Sequence, residues 1–173
     1  TTIQALEAPE IAKFVVEKLG ARRIAVAYRQ DDWGLSASGF FEDAARKLGA
    51  QIVLSEGFIA GERDFRPFIT RLRSANPDAI HIAMFYADAA VIAQQLKQAG
   101  LNIPVITSTS LYHPEFIIQG GSAVEGYYVP STFYPDNPDP AVREFVESYR
   151  QLYGSTPSSF AAQAYDSIGL IAA

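Results

Sequence analysis

Side chains able to bind a small organic molecule are concentrated in three short stretches of the sequence. Trp33 stands in the first stretch, Phe85 and Tyr86 form the second, and a hydroxyl-rich third stretch occupies residues 107–112. Aromatic rings contact the apolar groups of a ligand, and hydroxyl groups orient it through hydrogen bonds. The candidate ligand-binding residues are therefore Trp33, Phe85, Tyr86, Thr107, Thr109 and Tyr112.

Each of these residues also has a structural interpretation, which the sequence leaves open. Trp33 is suited to covering the helix that begins near Gly34, and Phe85 and Tyr86 are suited to packing at the end of a strand. The hydroxyl groups of residues 107–110 are typical of a polar turn as well as of a ligand contact.

Catalytic and cofactor motifs are missing from the sequence. It has no G-x-G-x-x-G after a strand, no P-loop and no G-x-S-x-G nucleophile elbow. Its two histidines, His81 and His113, have no second ligand at metal-binding spacing. His81 falls within a predicted strand and is expected to be structural, whereas His113 lies in a candidate functional loop. We expect no enzyme activity, no cofactor and no metal.

One pair of adjacent carboxylates could form a cation site. Asp31 and Asp32 follow the first predicted strand, where clustered carboxylates suit Mg²⁺. A phospho-acceptor domain would also need an aspartate and a lysine at later strand ends. The sequence has Phe85-Tyr86 and Ser108-Thr109 there, so the phospho-acceptor interpretation fails.

Composition excludes several classes of protein. The 173 residues are 49% hydrophobic and carry a net charge of −5, with no basic cluster of the kind that binds nucleic acid. No cysteine is present, which excludes a disulfide scaffold and leaves the cellular compartment open. No stretch is long and apolar enough to span a bilayer.

Helix and strand patterns alternate along the chain. Amphipathic stretches end at Gly20, Gly49 and Gly100, and a short apolar run follows each of them. Alternation of this kind predicts βαβ units. We therefore predict an α/β three-layer sandwich with a mostly parallel, flavodoxin-like doubly wound sheet of about five strands, the last near residues 126–129. The carboxyl ends of such strands hold the functional loops, and the three stretches named above fall in these loops.

Short stretches spread over nearly the whole chain carry a family resemblance through their order and spacing. They are Ile24-Ala25-Val26 followed by Asp31-Asp32-Trp33-Gly34, residues 57–61 with Asp64-Phe65, residues 76–80, Val124-Glu125-Gly126, the proline-rich residues 134–140 ahead of Phe145 and Tyr149, and Ala164-Tyr165-Asp166. Together they resemble the periplasmic solute-binding proteins of branched-chain amino acid ABC transporters, also called type I periplasmic binding proteins.

The resemblance implies a two-lobed parent in which a ligand is trapped between α/β lobes. Residues 1–173 resemble the second lobe only, so the implied partners are a small-molecule ligand, the missing first lobe of the same chain and a membrane permease, with no nucleic acid. The implied location is periplasmic or extracytoplasmic. The chain begins at Thr1 and stops on Ile171-Ala172-Ala173 without a helix-ending signal, so we expect it to be cut from a larger protein.

The resemblance also implies roles for individual residues. Trp33 matches the position of an aromatic ligand contact, usually tyrosine, and Phe85 resembles a second one. The amino-acid binders of the family place a carboxylate where this chain has Thr109, to hold the ligand's ammonium group. Its absence favours an uncharged or aromatic ligand group facing this lobe, unless Asp31 or Asp32 supplies the charge.

Three functions are compared on this basis. The first is the substrate-binding component of an ABC transporter, which captures an amino-acid-like solute or an aromatic or aliphatic carboxylate. The second is the extracytoplasmic sensing domain of a signalling receptor. The third is a small α/β enzyme, which the missing catalytic motifs disfavour.

Overall fold

The structure is a computed structural model that describes residues 4–172. The helices are α1 (Gln4–Lys13), α2 (Asp32–Lys47), α3 (Arg66–Ala75), α4 (Tyr86–Gln98), α5 (Pro114–Gly120), α6 (Pro140–Tyr153) and α7 (Ser159–Ala172). The strands are β1 (Arg23–Arg29), β2 (Gln51–Phe58), β3 (Ala79–Ala83) and β4 (Val105–Thr107). Thr1 and Ala173, at the two expected cuts, lie outside the described residues. No helix in the described range is both long and apolar enough to cross a membrane.

The four strands form one parallel sheet in the order β2-β1-β3-β4. Strand order reverses between β1 and β3, because the chain leaves β1 toward β2 and returns to the other side to form β3. This reversal is the topological switch point of a doubly wound sheet, where ligands bind outside the carboxyl ends of the strands. The predicted flavodoxin-like α/β sandwich is confirmed.

The predicted fifth strand is reduced to a single bridge. Tyr128 pairs in parallel with Ile106, and its neighbours do not extend the ladder. Gly126 has a φ of 80°, and Pro130 has no N–H to donate, so the extended backbone is interrupted on both sides of Tyr128. The sheet therefore has four strands where the sequence predicted about five.

Two apolar layers enclose this sheet, because neighbouring strand residues point to opposite faces. Ile24 and Val26 of β1 pack with the buried side chains of α1 and α2. Ala25 and Ala27 pack on the other face with α3, α4 and Phe116 of α5. Both faces of the central strands are covered, which explains the continuous apolar run that β3 shows in the sequence.

The described chain divides into two compact units, with the boundary between Pro130 and Ser131. The first unit contains the sheet and α1–α5. The second contains α6 and α7, with an aromatic cluster in which the ring of Phe145 lies 4.8 Å from that of Tyr165 and 5.8 Å from that of Phe133. The expectation that residues 1–173 form a single lobe stays a prediction.

Candidate functional site

Two of the predicted aromatic residues meet at the switch point. Trp33 lies in the first turn of α2, directly after β1, and Phe85 immediately precedes α4, after β3. Their ring centroids are 4.9 Å apart with an interplanar angle of 28°, and both side chains are half-buried. An aromatic pair of this kind presents a preformed apolar surface to a ligand at the carboxyl edge of the sheet.

The backbone around Trp33 is fixed by two neighbours. Asp31 caps α2, because its Oδ1 accepts a hydrogen bond from the Gly34 N–H at 2.8 Å. A Cβ atom at Gly34 would lie 2.0 Å from the carbonyl oxygen of Arg29, so only glycine permits this close approach of helix and strand. The D-D-W-G stretch thus sets the position of Trp33 through its cap and its glycine.

Arg29 also contacts the aromatic pair, although no pattern in the sequence indicates this. Its guanidinium carbon lies 4.9 Å from the centroid of the Phe85 ring, a cation–π contact. Its buried Nε meets Oδ2 of Asp31 at 2.5 Å, as an ion pair and not as an aligned hydrogen bond. Both oxygens of Asp31 are therefore engaged within the fold, which removes Asp31 as the source of a free ligand-binding charge.

Tyr86 and His113 form a separate stack. Their rings lie 4.9 Å apart at 13°, and both side chains are half-buried. Nδ1 of His113 accepts a hydrogen bond from the Glu115 N–H at 3.2 Å and so caps α5. His113 therefore has a structural role that accounts for its place in the loop, and Tyr86 packs on it.

The hydroxyl-rich stretch is divided between the core and the edge. Thr107 is fully buried, and its hydroxyl donates to the carbonyl oxygen of Ser108 at 3.1 Å. The Ser110 hydroxyl donates to the carbonyl oxygen of Met84 at 2.7 Å, which ties this loop to the one that carries Phe85. Thr109 and Tyr112 are half-buried at the edge. The N–H of Thr109 donates to a carboxylate oxygen of Glu7 at 3.2 Å, across 102 residues of sequence.

His81 has the structural role that its place in a strand predicted. Its ring stacks on Phe41 of α2 with centroids 3.9 Å apart, and Nδ1 contacts the Ile106 carbonyl oxygen at 3.2 Å. Burial disfavours the charged imidazolium and lowers the pKa of His81 to about 4. Among residues 4–172, no three His, Asp or Glu side chains converge as a metal site would require.

A groove of about 610 Å³ lies near the amino ends of β3 and β4, whereas the aromatic pair lies at the carboxyl ends of the strands. It is lined by residues at the beginning of β3 and β4, including Ile80 and Val105, and by Tyr127. Burial raises the pKa of the Tyr127 phenol to about 12. None of the six predicted ligand-binding residues lines this groove, so it is distinct from the aromatic site.

Comparison with known proteins finds one matching family and several curated relatives. The profile of a family described as periplasmic binding protein matches residues 2–173. A curated Leu/Ile/Val-binding protein from Citrobacter freundii is 25% identical over 167 residues, which cover 95% of this chain and 45% of that protein. The chain therefore spans about half the length of the curated relatives it matches.

Two solved structures are similar over nearly all of the chain. A leucine-binding protein from Thermotoga maritima has a TM-score of 0.85 and 30% identity, with 94% of this chain and 47% of that chain covered. A branched-chain amino acid transporter substrate-binding protein from Streptococcus pneumoniae, in complex with isoleucine, has a TM-score of 0.88 and 27% identity. That alignment covers 98% of this chain and 49% of the other.

Proposed function

The chain belongs to the periplasmic binding protein family, and from this membership we propose that it is one lobe of the substrate-binding component of an ABC transporter. The intact protein captures a small organic solute between two lobes and presents it to a membrane permease from a periplasmic or extracytoplasmic location. Its role is binding and not catalysis, in keeping with its family.

The observation that carries this proposal is the aromatic pair at the switch point. Trp33 and Phe85 come from the loops after β1 and β3, and their half-buried rings stack 4.9 Å apart at the edge where doubly wound sheets bind ligands. Phe85 is fixed further by the guanidinium of Arg29. Tyr86, Thr109 and Tyr112 extend the same edge, and Thr107 supports it from the core.

The apolar surface of the second unit supports the proposal that a first lobe belongs to the same protein. Tyr165, Ile168 and Ile171 follow one another at intervals of three along α7, and they are 62%, 68% and 87% exposed. Contiguous apolar side chains of this size are normally covered by a partner surface. Since the chain spans about half the length of its curated relatives, we assign that cover to the remainder of the same polypeptide.

The solute class follows from the relatives. The Citrobacter freundii relative is named for leucine, isoleucine and valine, and the Streptococcus pneumoniae relative was solved with isoleucine. We extend this class to the present chain, with aromatic and aliphatic carboxylates as the competing solutes. The Streptococcus pneumoniae relative is described as a transporter substrate-binding protein, so transport is preferred to the sensing role.

A thermal-shift screen of the intact protein tests this function. The panel contains L-leucine, L-isoleucine, L-valine, benzoate and 4-methylpentanoate, with D-glucose as the unrelated control. A solute that binds only the folded state raises the melting temperature, and the rise continues with the logarithm of the solute concentration above its Kd.

We expect one solute class of the panel to raise the melting temperature in a concentration-dependent way, while glucose has no effect. The proposal is contradicted if no solute changes the melting temperature, or if the protein chemically converts the solute that it binds.

A further inference from the structure

The carboxylate of Glu7 lies at the edge formed by the carboxyl ends of the strands. No sequence pattern indicates this position. It lies in the first turn of α1, and α1 leads through residues 14–18 and Gly20 into the amino end of β1. The helix therefore runs opposite to the strands, and its first turn lies toward their carboxyl ends. The hydrogen bond from the Thr109 N–H to Oε1 of Glu7, at 3.2 Å, places the carboxylate directly at the end of β4.

The charge of Glu7 has no cationic partner in the described part of the chain. Oε2 receives one long hydrogen bond, from Nε2 of Gln4 at 3.4 Å, and Oε1 receives the Thr109 amide. No Lys, Arg or His of residues 4–172 forms an ion pair with it. A half-buried carboxylate that is bonded only to neutral N–H groups still favours the approach of a cation.

Glu7 is connected to the aromatic pair through a short series of contacts. Thr109 is followed by Ser110, whose hydroxyl binds the carbonyl oxygen of Met84 at 2.7 Å, and Met84 is followed by Phe85. The same edge of the sheet thus combines an apolar aromatic surface with the uncompensated negative charge of Glu7. A ligand complementary to this edge has an apolar group and an ammonium group.

We propose that Glu7 holds the ammonium group of the solute and makes the site selective for α-amino acids over the corresponding carboxylates. This inference rests on the proposed capture function and specifies its substrate class. It replaces the expectation, based on the absence of an acid near Thr109 in the sequence, that an uncharged or aromatic group faces this lobe. The required charge comes from a distant helix, and Asp31 is committed to Arg29 and to Gly34.

The test compares two ligands that differ only in the amino group. Binding of L-leucine and of 4-methylpentanoate to the intact protein is measured by calorimetry for wild type, Glu7→Gln and Glu10→Gln. Glutamine keeps the size of Glu7 and an oxygen that accepts the Thr109 N–H, so only the charge is removed. Glu10 is an exposed acid on the same helix and provides the matched control.

We expect the wild type and Glu10→Gln to prefer leucine. Glu7→Gln is expected to weaken leucine binding by roughly ten- to a hundredfold, the range for a hydrogen bond to a charged group, and to leave 4-methylpentanoate unchanged. The ratio of the two affinities is the decisive quantity, because a variant that merely loosens α1 lowers both.

Unchanged leucine binding by Glu7→Gln overturns the role of Glu7 and leaves the capture function intact. Wild-type protein that prefers 4-methylpentanoate overturns the ammonium assignment, again with capture intact. Absence of binding for both compounds and for every solute of the thermal screen overturns the capture function itself.

Discussion

At the scale of single residues, the candidate site depends on side chains that are held by protein contacts before any ligand arrives. Phe85 contacts both the indole of Trp33 and the guanidinium of Arg29, and Arg29 is in turn paired with Asp31. Rigid aromatic rings bind with a small loss of conformational entropy. The proposed ligand-contact surface is therefore preorganised.

Trp33→Ala tests the role of this surface. In the intact protein we expect solute affinity to fall by about tenfold or more, because the apolar contact of a large aromatic ring is lost. The melting temperature without ligand is expected to change little, since Trp33 is only half-buried. Calorimetry and thermal denaturation provide the two measurements.

Phe40→Ala is the matched control for Trp33→Ala. Phe40 is an aromatic residue on the same helix and is 44% exposed. Its removal is expected to leave affinity unchanged. A large fall in the melting temperature of Trp33→Ala with wild-type affinity would show that the indole is structural and not a ligand contact.

The sequence indicated some residues of the candidate site and missed others for a physical reason. Trp33 and Phe85 could be selected because both follow predicted strands, and the carboxyl ends of parallel strands lie at one edge. Glu7 could not be selected, because its contact with Thr109 spans 102 residues and depends on how α1 packs on the sheet. Arg29 was missed because a basic residue at a strand end has no distinctive spacing.

At the scale of elements, glycine and proline decided which predictions held. Gly20, Gly49 and Gly100 adopt positive φ angles and separate helix from strand as the sequence indicated. The predicted strand near residues 126–129 failed because Gly126 and Pro130 interrupt it, and this reduced the ladder to the bridge at Tyr128. One glycine and one proline thus prevented the strand that a short apolar run had predicted.

Burial of the His81 imidazole is expected to make stability dependent on pH. His81 stacks on Phe41 in the core, and its pKa is lowered from the ordinary 6.5 to about 4 in the folded chain. The unfolded chain takes up a proton as the pH falls through 6.5, whereas the folded chain resists protonation until about pH 4. The contribution of His81 to the free energy of unfolding is therefore fully present above pH 6.5, and it decreases as the pH falls toward 4.

Urea denaturation at pH 7 and pH 5 measures this effect. Between these values, His81 is expected to lower the free energy of unfolding by about 2 kcal/mol. His81→Gln is expected to lose this part of the pH dependence, and His113→Gln, which alters a half-buried loop histidine, is expected to keep it. The same pH dependence in wild type and His81→Gln would contradict the assignment.

At the scale of the whole molecule, the proposed function assigns to this chain half of a ligand-binding site. The chain spans about half the length of its curated relatives, and α7 carries an apolar row that is largely exposed. In a two-lobed binding protein, closure removes water from the ligand on both sides, and this desolvation strengthens the contacts made by each lobe. One lobe alone lacks that enclosure.

The most direct test of this account is calorimetry of one solute, the strongest ligand of the thermal screen, with the isolated 173-residue chain and with the intact protein. We predict strong binding by the intact protein, and binding by the isolated chain that is at least about a hundredfold weaker or below detection, because half of the contacts and the closure are lost. Equal affinity for the two would contradict the proposal that the solute is captured between two lobes.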